Sequence, residues 1–169
     1  MARRLTRSEL LPPSDFDGTS TVDAEHLSFV ASNESGTRQA LVSLAKLPGT
    51  HQLRLELITA MAYLNGPRGR WRSAETALAN YDTIAFFLRW LESEDLRPDS
   101  VAAIDGGVWN RWILHNGGAT TSAGAARIRN VRNVLRAAGN LSASLTAVLS
   151  RRTGKPEPRL QTSYTHEEF

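Results

Sequence analysis

Arg127, Arg129, Arg132 and Arg136 stand close together in the stretch GAARIRNVRNVLRAAG (residues 124–139), with Asn133 among them and no Asp or Glu. The guanidinium group stays charged at any physiological pH. Its planar fork of N–H donors matches phosphate oxygens and the guanine edge, and an asparagine amide can pair with adenine. At about 100° per residue on a helical wheel, Ile128, Val131, Val134, Leu135 and Ala138 fall on one side. Arg129, Arg132 and Arg136 fall together on the other, at i, i+3 and i+7, with Asn133 beside them. Arg127 points toward the apolar side, where Asp105 is a candidate partner. Like charges on one helix face repel by tenths of a kcal/mol per pair, so a polyanion is a natural counterpart.

Two further basic groups extend this chemistry. In RGRWRS, Arg70 and Arg72 precede a helix start capped by Ser73, where backbone N–H groups already favour anions. Trp71 between them reads as a core residue more than as a contact. In RRTGKP, Arg151, Arg152 and Lys155 follow the last helical stretch. The distribution reinforces the pattern. No Asp or Glu occurs from Gly107 to Pro156, whereas the acids gather earlier, in a chain whose net charge is only +3. Of the 20 basic residues, 18 are Arg and 2 are Lys. A polyanion-facing half is the reading, set against a solvated face or one answered by acids from elsewhere in the fold.

Other chemistry finds little to stand on. His26, His51, His115 and His166 do not sit at metal-ligand spacing, and there is no cysteine. No glycine-rich phosphate loop or nucleophile motif appears. Tyr164, two residues before His166, lies in a linker-like end and reads as no nucleophile. No catalytic residue, metal or cofactor is expected.

The elements that must position these residues read as helices. In the 169-residue chain, 41% hydrophobic and 22% charged, no apolar run reaches the roughly 18–20 residues of a membrane span. Residues 1–36 read as a flexible tail, with a short helical turn at 26–32. Leu41, Leu44 and Leu47 predict a helix over 37–47. Leu53, Leu57, Ile58, Met61 and Leu64 predict another over 50–64, and together these make a helical hairpin, 37–66. Residues 74–94 carry the strongest stripe, Leu78, Tyr81, Ile84, Ala85, Leu88 and Leu91, widened by Phe86, Phe87 and Trp90. Shorter helices follow at 104–116, 120–139 (closed by Gly139) and 141–154. No strand pattern of useful length is seen, so the expected fold is all-α.

Three stretches in this arrangement resemble the N-terminal core-binding domain of the tyrosine recombinase (phage integrase) family. In SAETALANYDTIAFFLRWLESE, Thr76, Tyr81, Phe87 and Trp90-Leu91 match the family's first helix. In TTSAGAARIRNVRNVL, a Ser/Thr-capped helix with Arg127-Ile128, Val131-Arg132 and Val134-Leu135 is similar to a later one, although Ala123 stands where a threonine is common. TSYTHEEF is similar to the lead-in to the family's catalytic domain. The resemblance spans about residues 70–169. It implies a small bundle of orthogonally packed helix hairpins (SAM-like) over 67–154, a linker at 155–169, and half of a clamp on double-stranded DNA. It further implies a cytoplasmic, prokaryotic setting, a monomer off DNA and an oligomer on it. Since the catalytic residues of such enzymes lie beyond this boundary, DNA binding without cleavage is expected. The DNA-binding candidates are Arg70, Arg72, Ser73, Thr121, Arg127, Arg129, Arg132, Asn133, Arg136, Arg151, Arg152 and Lys155. Arg132→Ala is expected to weaken binding without lowering the melting temperature.

Two other readings compete. One is a stand-alone helical DNA-binding regulator. The other is a helical protein-interaction module, docking a partner or a second copy through apolar faces of 37–65.

Overall fold

The computed structural model describes residues 20–151. Its first element is not helical. Strand β1, Ser28–Ser32, pairs antiparallel with β2, Gln39–Ser43, in a register that sets Val30 opposite Leu41. This corrects the all-α expectation: the chain is mostly helical, with one small two-stranded sheet. The reason lies in the alternation. Phe29, Ala31 and Val42 are buried while Val30 and Leu41 face out, the period-2 pattern of a half-buried strand. The spacing of Leu41, Leu44 and Leu47 mimics a helix, but only Leu44 and Leu47 are buried, and they lie in the turn after β2. Asn33 builds the hairpin turn: its side-chain oxygen accepts from Arg38 N–H (3.1 Å) and its amide donates to Thr37 Oγ1 (3.0 Å). Gly36 takes φ +67° there, a conformation glycine adopts without strain.

Five α-helices follow. Helix α1 is His51–Asn65, α2 Ala74–Ser93, α3 Gly106–His115, α4 Ser122–Ala138 and α5 Ala143–Leu149. Short 3-10 turns at Val101–Ala103 and Gly117–Ala119 precede α3 and α4. All five start on a side-chain cap: Thr50, Ser73, Asp105, Thr121 and Ser142 each accept an N–H from the first turn. Such caps are worth about 1 kcal/mol apiece. After α4, Gly139 turns the chain at φ +67°.

One core unites these elements. Leu53, Leu57, Ile58, Met61 and Leu64 of α1 pack with Ile84, Phe87 and Leu88 of α2, Val131, Val134 and Leu135 of α4, and Phe29 and Val42 of the sheet. Trp109 and Trp112 of α3 are fully buried, and Trp112 sits in an aromatic cluster with Phe86, Phe87, Trp90 and His115. Residues 20–36, assigned by sequence to a tail, thus supply β1 and part of this core. The apolar stripe of 50–64 is spent inside the molecule, whereas Leu41 of the 37–47 stripe stays exposed. No helix among the described residues is long and apolar enough to cross a membrane.

Candidate nucleic-acid interface

Two segments far apart in sequence are brought together at one place. The turn of residues 66–72 folds back on the end of α1, with Trp71 N–H donating to the Leu64 carbonyl (2.8 Å). Gly69 permits this approach, because a Cβ there would lie 2.0 Å from the Leu64 oxygen. Trp71 is buried, as its sequence context suggested, and Arg70 next to it is exposed. Arg70 then meets α4. A groove of about 240 Å³ is lined by Tyr63, Leu64, Arg70, Trp71, Asn133, Arg136 and Ala137. No carboxylate lines it.

Helix α4 reaches this position through close packing at its start. Thr121 Oγ1 accepts from Gly124 N–H (3.0 Å). A Cβ on Gly124 would lie 2.2 Å from the Asn116 carbonyl oxygen, so only glycine lets α4 abut the end of α3. Ile128, Val131, Val134 and Leu135 are buried, as the wheel predicts.

The arginine stripe expected on the far side of α4 is not uniform. Arg129 is exposed and pairs with no carboxylate among the described residues. Arg132 is half-buried, its guanidinium 5.8 Å from the centre of the Trp109 ring, with Nε and Nη2 buried and without a partner among the described residues. Burial, aided by the charge of Arg136, pulls its pKa below the usual arginine value. Arg136 Nη2 donates to the Leu149 carbonyl at the end of α5 (2.5 Å). Arg132 therefore does not belong to a solvent-facing stripe. The wheel assumes one packed flank, and here α3 and the end of α5 cover a second.

The other candidates sort by what holds them. Arg72 forms an ion pair with Glu34 (2.7 Å), and Glu34 N–H donates to its carbonyl (3.2 Å); the hairpin answers this cation. Ser73 and Thr121 use their hydroxyls as helix caps. Arg127 does not reach Asp105, which caps α3. Its guanidinium lies 4.6 Å over the Phe86 ring, a cation–π contact. It shares a pocket of about 330 Å³ with Tyr81, Asp82, Thr83 and Arg89. Arg89 carried no signal in the sequence, being one exposed cation on an amphipathic helix. Arg151 is exposed just after α5, whereas Arg152 and Lys155, like the TSYTHEEF stretch, lie outside the described residues. Arg111, inside the acid-free segment, is neutralised by Glu94, the C-cap of α2.

What remains is Arg70 and Arg136 on one groove with Asn133, Arg129 exposed on the same helix, and Arg127 on another flank of α4. Guanidiniums beside an amide can bind the oxygens of a phosphate backbone and probe a base edge. Among the described residues no group of three or more His, Asp or Glu could hold a metal ion. No family model, no curated protein and no solved structure matches the chain.

Proposed function

We propose that the chain binds duplex DNA with α4 and the 66–72 turn, as the DNA-clamping half of a protein resembling a tyrosine recombinase. The observation that carries this reading is the convergence of Arg70 with Asn133 and Arg136 on one groove that contains no acid. Like charges gathered without a carboxylate are unfavourable until a polyanion joins them. Arg129, one to two turns earlier on α4, extends the row along the helix. On this reading phosphate contacts come from Arg70 and Arg129, and Asn133 and Arg136 face the bases. Arg72, Ser73 and Thr121 act by holding the structure, and Arg132 lies half-buried against Trp109, off the interface. The reading assigns cleavage to none of these residues.

The test is fluorescence anisotropy on a mixed-sequence duplex over a salt series, with an Arg70→Ala/Arg129→Ala variant alongside. Each lost phosphate contact should flatten the log–log salt slope by about 0.9, so the double variant should lose about 1.8. Both side chains are exposed and outside the core, so its melting temperature should match the parent. Equal slopes for the two proteins would remove α4 from the interface.

A further inference from the structure

A strand at the rim of a sheet leaves outward N–H and C=O groups unpaired, and proteins usually blunt such an edge with charge, proline or cover. The edge of β1 is covered. Ser28 exchanges backbone bonds with Asp23 (3.1 and 2.8 Å), and Ser20 Oγ donates to the Val30 carbonyl (2.5 Å). The Asn65 side chain meets both the N–H and the C=O of Ser32 (2.8 and 3.0 Å). The edge of β2 is not covered. The bonds from Asn33 N–H to the Arg38 carbonyl and from Leu44 N–H to the Leu27 carbonyl fix the alternation of the ladder. They turn the backbone groups of Gln39, Leu41 and Ser43 outward. None of these groups has a partner among the described residues. The strand QALVS holds no charge and no proline. Leu41 is 69% exposed, beside Val30 at 45%. A groove of about 320 Å³ runs along it, lined by Leu41, Ser43, Lys46, Leu78 and Tyr81.

We propose that β2 pairs with β2 of a second copy of this chain, antiparallel about a two-fold axis through Leu41. That axis sets Leu41 against Leu41 and Gln39 against Ser43, and joins the two hairpins into one four-stranded sheet. Charge permits it. Arg38, the cation nearest the new ladder, is already neutralised by Glu75 (2.8 Å). Lys46 lies in the turn three residues past the end of β2, outside the paired residues. Val30 and Leu41 of both copies then form one apolar stripe across the sheet. So short an edge buries less than the roughly 1,200 Å² of a stable interface, so the pairing is weak on its own. It involves none of the residues of the proposed DNA surface and stands or falls apart from that reading.

The chain has no cysteine, so single thiols report the geometry. Residues opposite each other in a hydrogen-bonded pair have Cα atoms about 5.5 Å apart, within the range a disulfide spans. Leu41→Cys should therefore form a disulfide dimer about tenfold or more faster than Leu114→Cys, because pairing raises the local thiol concentration. Leu114 is the control because it is 75% exposed and remote in sequence from the sheet. Sedimentation of the parent should show a dimer that grows with concentration. Leu41→Pro should abolish it, since proline removes only an outward N–H. If that variant melts lower, the cysteine comparison decides. Equal cross-linking at the two positions, or a parent that stays monomeric at every concentration reached, overturns the proposal.

Discussion

At the scale of single residues, charge and surroundings part company. Arg129 and Arg132 are three positions apart on one helix, yet only the first behaves as a surface cation. Leaving two guanidinium nitrogens buried without a partner costs about 1–3 kcal/mol. The contact with Trp109 returns about 0.5–1 kcal/mol. The balance favours removing the charge while keeping the stem that covers the ring. Arg132→Met should raise stability by about 1 kcal/mol, or roughly 4 °C in melting temperature. It should leave the salt slope of DNA binding unchanged. Thermal unfolding by circular dichroism checks the first part and anisotropy the second; a lower melting temperature would mean the guanidinium contributes packing that methionine cannot. The sequence alone groups the two arginines, because a helical wheel knows the period of a helix and nothing of its second neighbour. Arg70 and Asn133 were each visible as candidates. Their meeting was not, since it depends on how the 66–72 turn folds onto α1.

At the scale of elements, helix ends were legible and the sheet was not. Ser73 before α2 and Gly139 after α4 are local signals, each answering backbone groups within a turn of itself. The hairpin depends instead on residues distant in sequence. Asn65, the last residue of α1, is only 6% exposed. Its amide accepts from Ser32 N–H and donates to the carbonyls of Ser32 and Trp71 (3.0 and 3.3 Å). One side chain thus closes the β1 edge and holds the 66–72 turn that carries Arg70. Arg54 acts alike on the turn between β2 and α1, with Nη1 donating to the carbonyls of Ala45 (2.6 Å) and Leu47 (3.0 Å). Removing the Asn65 amide strands buried backbone groups on two elements at once. Asn65→Leu should cost about 2–4 kcal/mol. Denaturant unfolding would measure it, and amide exchange should quicken first at Ser32 and Trp71. A loss below 1 kcal/mol would show that water replaces the amide.

At the scale of the whole molecule, the division suggested by sequence meets a continuous core. Most acids precede residue 106 and Gly107 to Pro156 holds cations alone, but the Arg111–Glu94 pair crosses that division, and Arg72–Glu34 ties the hairpin to the 66–72 turn. Such exposed pairs contribute little; the apolar contacts decide. Helix α4 packs most broadly on α1, so the surface proposed to meet DNA is backed by residues 51–65. Leu53, Leu57, Ile58, Met61 and Leu64 are all buried there. At about 1.5–3 kcal/mol for each such side chain, their combined burial is comparable to the roughly 5–15 kcal/mol that holds a domain folded. A fragment of residues 67–151 keeps α2 to α5 and the named arginines among the described residues, but exposes the underside of α4. It should show no cooperative thermal transition and no salt-dependent DNA binding, whereas the parent should melt in one step with sheet and helix signals together. A fragment that melts cooperatively would restore an independent domain beginning at residue 67. In that case the sheet and α1 would be an appendage, and the groove at Arg70 and Asn133 would have to persist without Tyr63 and Leu64.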